Sequence, residues 1–125
     1  EYARIRVGTW NEIAEKSGVK IIITDNALEA AKNADIIYAD SWMSYHIPKE
    51  KETERVKIFM PYQVNAELMS RAKPGAVFMN CLPAMRDYEQ TAEVIDGPQS
   101  IVFDQAENRL HMQKALLQAL LNKSF

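Results

Sequence analysis

Strand-like and helix-like patterns alternate along this chain, and that alternation restricts its fold more than any other feature. Residues 19–24 (VKIIIT) form a branched run that is apolar on both faces, as a parallel strand covered on each side by helices requires. Residues 35–39 (DIIYA) and 76–80 (AVFMN) read as two further strands, and residues 100–103 (SIVF) as a candidate fourth. Helical segments fill the gaps. Trp10, Ile13 and Ala14 share one face of a helix over 7–17 that Gly18 stops, and Asp25 or Asn26 caps a short helix running to Asn33. A charged helix over 50–59 is interrupted by Pro61, resumes over 64–72, and gives way to a turn at Pro74-Gly75. A short helix is expected near 91–95, and a long amphipathic one over 106–121, with Leu110, Lys114, Leu117 and Leu121 in succession around it. The order predicts an α/β fold: an open parallel sheet flanked by helices, Rossmann-like, with ligands beyond the carboxyl ends of its strands. A sheet that starts at Val19 has few strands, so it is expected to be truncated on its N-terminal side.

Size and charge narrow the functional classes. The 125 residues fit one domain, 1–125, with 47% hydrophobic and 26% charged residues, a globular composition. Fifteen basic and 17 acidic residues are scattered, giving a formal charge of -2 and no basic face for nucleic acid. No run is long and apolar enough for a bilayer, so neither nucleic acid nor membrane is an expected partner. Cys81 is the single cysteine and His46 and His111 lie far apart, which excludes an internal disulfide and argues against a metal centre. A reducing cytoplasm suits such a chain.

Three segments carry chemistry. The first, Asp40-Ser41-Trp42-Met43-Ser44-Tyr45-His46, follows a strand; an acid there can hold a substrate ammonium, although a lone strand-end Asp more often caps its turn, with Trp42 packed on the sheet edge. In the second, Asn80-Cys81-Leu82-Pro83, the proline is expected to extend Leu82 and expose carbonyls to a ligand. Cys81 then faces the same cleft or, as free cysteines usually do, is buried as a small hydrophobe. The third is Asp104-Gln105-Ala106-Glu107-Asn108-Arg109. Its acids suit the start of the last helix, and Arg109, one turn in, offers a forked donor or a surface ion pair.

Together, in this order, these segments resemble the ornithine and aspartate carbamoyltransferases over nearly the whole chain from Ala14. Asp40-x-Trp42-x-Ser44 is similar to the amino-acid-receiving loop of the ornithine branch, and Asn80-Cys81-Leu82-Pro83 to its His-Cys-Leu-Pro signature. The segment from Phe103 to His111 resembles the one that carries the carbamoyl-contacting arginine, and Pro61-Tyr62-Gln63-Val64 also follows the ornithine branch. Two positions depart: the family's Ser-Met-Gly reads Ser44-Tyr45-His46, and its histidine is Asn80.

The resemblance implies the C-terminal, ornithine-binding half of an enzyme that moves a carbamoyl group from carbamoyl phosphate to the distal amine of L-ornithine, giving L-citrulline and phosphate. It implies no cofactor, and a homotrimer or a multiple of one. It assigns catalysis to Arg109 and Cys81, and substrate contact to Asp40, Ser44, Tyr45, Asn80, Cys81, Leu82 and Arg109. Carbamoyl phosphate would be held by a separate N-terminal domain, so the 125 residues alone are expected to be inactive. A putrescine or other-amine transferase and a non-catalytic binding or scaffold domain stand as alternatives. A nucleotide-binding regulatory domain is disfavoured by the lack of a glycine-rich loop after the first strand.

Overall fold

A computed structural model of the chain describes residue 10, residues 12–43 and residues 47–122. Within these, α1 (Ala27–Ala31), β1 (Ile36–Ala39), α2 (Glu52–Phe59), α3 (Ala66–Arg71), β2 (Val77–Asn80), α4 (Ala92–Ile95) and α5 (Val102–Leu121) follow in that order. The architecture is α/β, as expected, and β1 and β2 pair in parallel from Ile36 opposite Val77 to Ala39 opposite Asn80.

Local chemistry explains the helix ends. Residues 12–17 are helical and stop at Gly18, whose φ of 72° lets the Val19 N–H turn back to the Ala14 carbonyl at 3.0 Å. Of the two cap candidates before α1 it is Asn26 that serves, its Oδ1 accepting from Glu29 N at 3.1 Å. Asn33 then takes a left-handed φ of 58° and donates its N–H to the Arg71 carbonyl, tying the end of α1 to that of α3. Asn65 caps α3 by accepting from Leu68 N at 2.9 Å. Pro61 ends α2 in a tight 3₁₀ turn, Met60–Tyr62.

The core gathers on one face of the strand pair. Phe78 is wholly buried and pairs with Ile37, and around them pack Ala31 of α1, Leu68 and Met69 of α3, Val94 and Ile95 of α4 and Val102 of α5. The other face is open: Ile36 and Tyr38 are each more than half exposed, and α5 reaches over it where Gln105 donates to the Tyr38 hydroxyl at 2.7 Å.

Three expectations need correction. Residues 19–24 form no strand, and Val19, Ile22 and Ile23 stand exposed, because no described strand lies beside them to share a hydrogen-bond ladder. Residues 100–103 contribute one parallel bridge, Ser100 to Phe78, rather than a strand: Gln99 O and Ile101 N grip the two backbone groups of Phe78, and the chain then turns helical at Val102. The last helix therefore starts a turn earlier than the sequence suggests, and its apolar residues Leu110, Leu117 and Leu121 are exposed rather than packed. Among the described residues no helix is long and apolar enough to cross a membrane.

Because Phe78 has no exposed surface and sits at the middle of the core, Phe78→Ala is expected to destabilise the protein by about 3–5 kcal/mol. Asn65→Ala, which removes only a helix cap, should cost about 1 kcal/mol. Denaturant unfolding of the whole protein measures both. Equal midpoints for the two variants would mean that β2 is not the centre of the core.

Candidate functional site

Since β1 and β2 end level, with Ala39 beside Asn80, the next residue of each strand, Asp40 and Cys81, emerge side by side. The Cys81 thiol donates to Asp40 Oδ1 across 3.6 Å, and the same oxygen accepts from Ser41 N at 2.8 Å. Asp40 thus caps its turn and touches the neighbouring loop at once. Its Oδ2 accepts no hydrogen bond among the described residues, and the residue is exposed. A recess of about 610 Å³ opens here between Asp40, Trp42, Ile58, Phe59 and Tyr62.

Cys81 is exposed, which sets aside the reading of it as a small buried hydrophobe. Partial desolvation, then the charge of Asp40 and the hydrogen bond to it, push the thiol above its ordinary pKa; the positive charge of Arg109 pulls the other way. Below that raised pKa the sulfur stays protonated, so at neutral pH it is a donor rather than a nucleophile. Arg109 is exposed, makes no ion pair among the described residues, and lies about two turns into α5 rather than one, since α5 begins at Val102.

The turn after β2 departs from the expected geometry. Leu82, ahead of the cis Leu82–Pro83 bond, has a φ of 47°, in the left-handed region rather than extended. The cause lies in Asn80, whose Oδ1 accepts from Leu82 N at 2.9 Å and folds the backbone back on itself. The other end of that amide donates to Gln90 Oε1 at 3.1 Å, and Asn80 is almost wholly buried. Its amide is therefore engaged within the protein, and it shapes the loop rather than facing the cleft.

Trp42 packs against more than the end of β1. It is buried, its ring stacks on Phe59 with centroids 5.9 Å apart and meets Tyr88 at 6.4 Å, while its carbonyl accepts from Arg55 Nε at 3.0 Å. Its N–H donates to Oε1 of Glu89 at 2.9 Å. Glu89 and Gln90 are both buried; nothing in the composition or periodicity around them marks them out, because burial of a polar side chain depends on which loop folds over it. Ser44, Tyr45 and His46 lie outside the described residues. The structure thus brings Asp40, Cys81, Leu82 and Asn80 together, and the charge of Arg109 is felt at Cys81.

The sequence matches a family model for the "Aspartate/ornithine carbamoyltransferase, Asp/Orn binding domain" over residues 5–120. Among curated relatives, the ornithine carbamoyltransferase of Bacillus subtilis is 56% identical over 110 residues, 88% of this chain and 34% of the relative. That of Bifidobacterium longum is 54% identical over 118 residues, covering 94% and 36%. The solved ornithine carbamoyltransferase of Pyrococcus furiosus superposes with a TM-score of 0.76 at 52% identity, over 83% of this chain and 33% of that one. The chain therefore spans about a third of the length of the relatives it matches. With a family model covering nearly its whole length and these likenesses in sequence and fold, the chain belongs to the aspartate/ornithine carbamoyltransferase family, of which it carries the amino-acid-binding domain.

Proposed function

We propose that this chain is the ornithine-receiving half of an enzyme that transfers a carbamoyl group from carbamoyl phosphate to the distal amine of L-ornithine, yielding L-citrulline and phosphate. The observation that carries the reading is the pairing of the Asp40 carboxylate with the Cys81 thiol, 3.6 Å apart at the level ends of two parallel strands. Ornithine presents an α-ammonium and a distal amine. Asp40 Oδ2, which accepts no hydrogen bond among the described residues, suits the ammonium; the family resemblance assigns Ser44 and Tyr45 to the same substrate, and the protonated thiol of Cys81 stands beside Asp40.

The distal amine, once deprotonated, attacks the carbonyl carbon; a tetrahedral oxyanion forms and collapses as the carbon–oxygen bond to phosphate breaks, the departing phosphate taking the proton that the attacking nitrogen gives up. Arg109 donates to that oxyanion through its forked guanidinium, a charge-matched interaction that strengthens as the oxygen becomes negative. The backbone of Cys81 and Leu82 accepts from the carbamoyl amino group, and Asn80 serves by holding the Leu82 turn. The family resemblance, with relatives about three times as long as this chain, supports assigning carbamoyl phosphate to a separate domain, and a trimer acting in the cytoplasm suits the family.

Assays of the whole protein with ornithine, putrescine and aspartate side by side test the assignment: citrulline formation is expected with ornithine, and turnover only with putrescine or another amine would replace the substrate. Arg109→Lys should lower turnover by about 10² or more, because an ammonium lacks the forked donors. Near-normal turnover would take Arg109 out of the chemistry. Asp40→Asn should keep the turn, since the amide oxygen still accepts from Ser41 N, yet raise KM for ornithine. Loss of thermal stability with an unchanged KM would return Asp40 to a purely structural part. The 125-residue polypeptide by itself is expected to form no detectable citrulline, and product from it would require a phosphate site among residues 1–125.

A further inference from the structure

Glu89 is a buried carboxylate that touches both ligand-facing loops. Its Oε1 accepts from Trp42 N, at 2.9 Å, in the loop after β1; its Oε2 accepts from Met85 N, at 3.1 Å, in the loop after β2. The residue is 1% exposed, and no cation pairs with it among the described residues. An isolated buried carboxylate is costly, and replacing it with an apolar side chain would avoid that cost if a filled core were all the position required.

The surroundings hold the carboxylate in place. Its backbone is bonded to Val64, the Glu89 carbonyl accepting from Val64 N at 2.9 Å and the Val64 carbonyl from Thr91 N at 3.0 Å. Next to it, Gln90 donates to the Met85 carbonyl and accepts from Asn80. Met85 is therefore gripped at its N–H by Glu89 and at its carbonyl by Gln90. On the other loop, Trp42 is gripped at its N–H by Glu89, at its carbonyl by Arg55, and at its ring by Phe59 and Tyr88. Trp42 is two residues beyond Asp40, and Met85 four beyond Cys81.

We propose that Glu89 is a positioning residue that bridges the two loops and so sets the separation of Asp40 and Cys81, and with it the seat of the amine substrate. The substrate half of this statement rests on the carbamoyl-transfer reading above; the loop-bridging half does not. Glu89 contributes to the wall of the recess beside Asp40 and Trp42 but is 1% exposed, and both its carboxylate oxygens are taken up by backbone amides. It acts through Trp42 and Met85, and only a side chain with two acceptor oxygens at this reach satisfies both amides.

The single cysteine of the chain supplies a readout separate from catalysis. Cys81 feels Asp40 and Arg109, and the Asp40 contact raises its pKa. In Glu89→Gln one oxygen becomes an amide nitrogen, a donor facing a donor, so one loop is released and Asp40 draws away from the thiol. The pH profile of Cys81 alkylation by iodoacetamide, followed on the Cys81 peptide of the whole protein by mass spectrometry, should then shift to lower pH. Alkylation near pH ~8 should speed up about twofold or more. Asp40→Asn should shift the profile likewise, and the double variant no further, since both changes remove the same contact.

Under the functional reading, Glu89→Gln should also raise KM for ornithine about tenfold while kcat falls less. Glu89→Asp keeps the charge but withdraws the oxygens by one methylene, and should move the profile in the same direction. If Glu89→Gln does not accumulate as folded protein, Glu89→Asp decides by the same criterion. An alkylation profile that coincides with the parent's in the folded variant overturns the bridging. A shifted profile in the variant, with no citrulline formed by the parent protein, supports the bridge and overturns the carbamoyl-transfer reading instead.

Discussion

Two parallel strands ending at the same level are the constraint on which the site depends. The ladder from Ile36 with Val77 to Ala39 with Asn80 fixes where each chain leaves the sheet, and the pleat decides which side chain turns inward. Phe78 and Asn80 share the buried face. Cys81, one residue on, is free to meet Asp40. A slip of one residue in this pairing would bury the thiol and expose the amide, so the apolar packing of Phe78 in the core and the chemistry at the strand ends are specified together.

Beyond the ladder, the loops are shaped by polar groups that the core would ordinarily exclude. Asn80, Glu89 and Gln90 are buried together, and between them they satisfy backbone groups of Leu82, Met85 and Trp42. The bond from Trp42 N to Glu89 is fully buried, so removing the carboxylate would leave an unpaired buried group, which typically costs about 1–3 kcal/mol. Such a cluster contributes less to net stability than to uniqueness: apolar side chains would fill the space, but they would not dictate where the two loops lie.

Helices and strands with a local signal were legible in the sequence. Asn26, one of two candidates, caps, Gly18 stops, Pro61 and Pro74 break, and the runs at 35–39 and 76–80 became β1 and β2. Residues 19–24 and 100–103 have strand composition too, but a strand needs a neighbour, and that is not encoded in its own residues. Asp40, Cys81 and Arg109 could be singled out because they stand just beyond strands or on the face of a helix. Asn80 looked like a ligand-facing group and is an internal bracket, and Glu89 carried no signal at all, because the reach of a side chain across two loops is decided only when both loops fold.

Helix α5 has a further consequence. Val102 anchors it in the core and Gln105 ties it to Tyr38, yet from Leu110 to Leu121 its apolar residues are left uncovered by the described part of the chain. Against the described residues such a helix is clamped at one end only. Where no packing covers them, helical hydrogen bonds rest on propensity, which sustains short helices only marginally in water. Amide exchange along α5 would then run as a gradient, slow beside Val102 and progressively faster toward Leu121. Arg109 stands just past the clamp, so the precision with which its guanidinium can be held is tied to how much of the helix beyond it is covered.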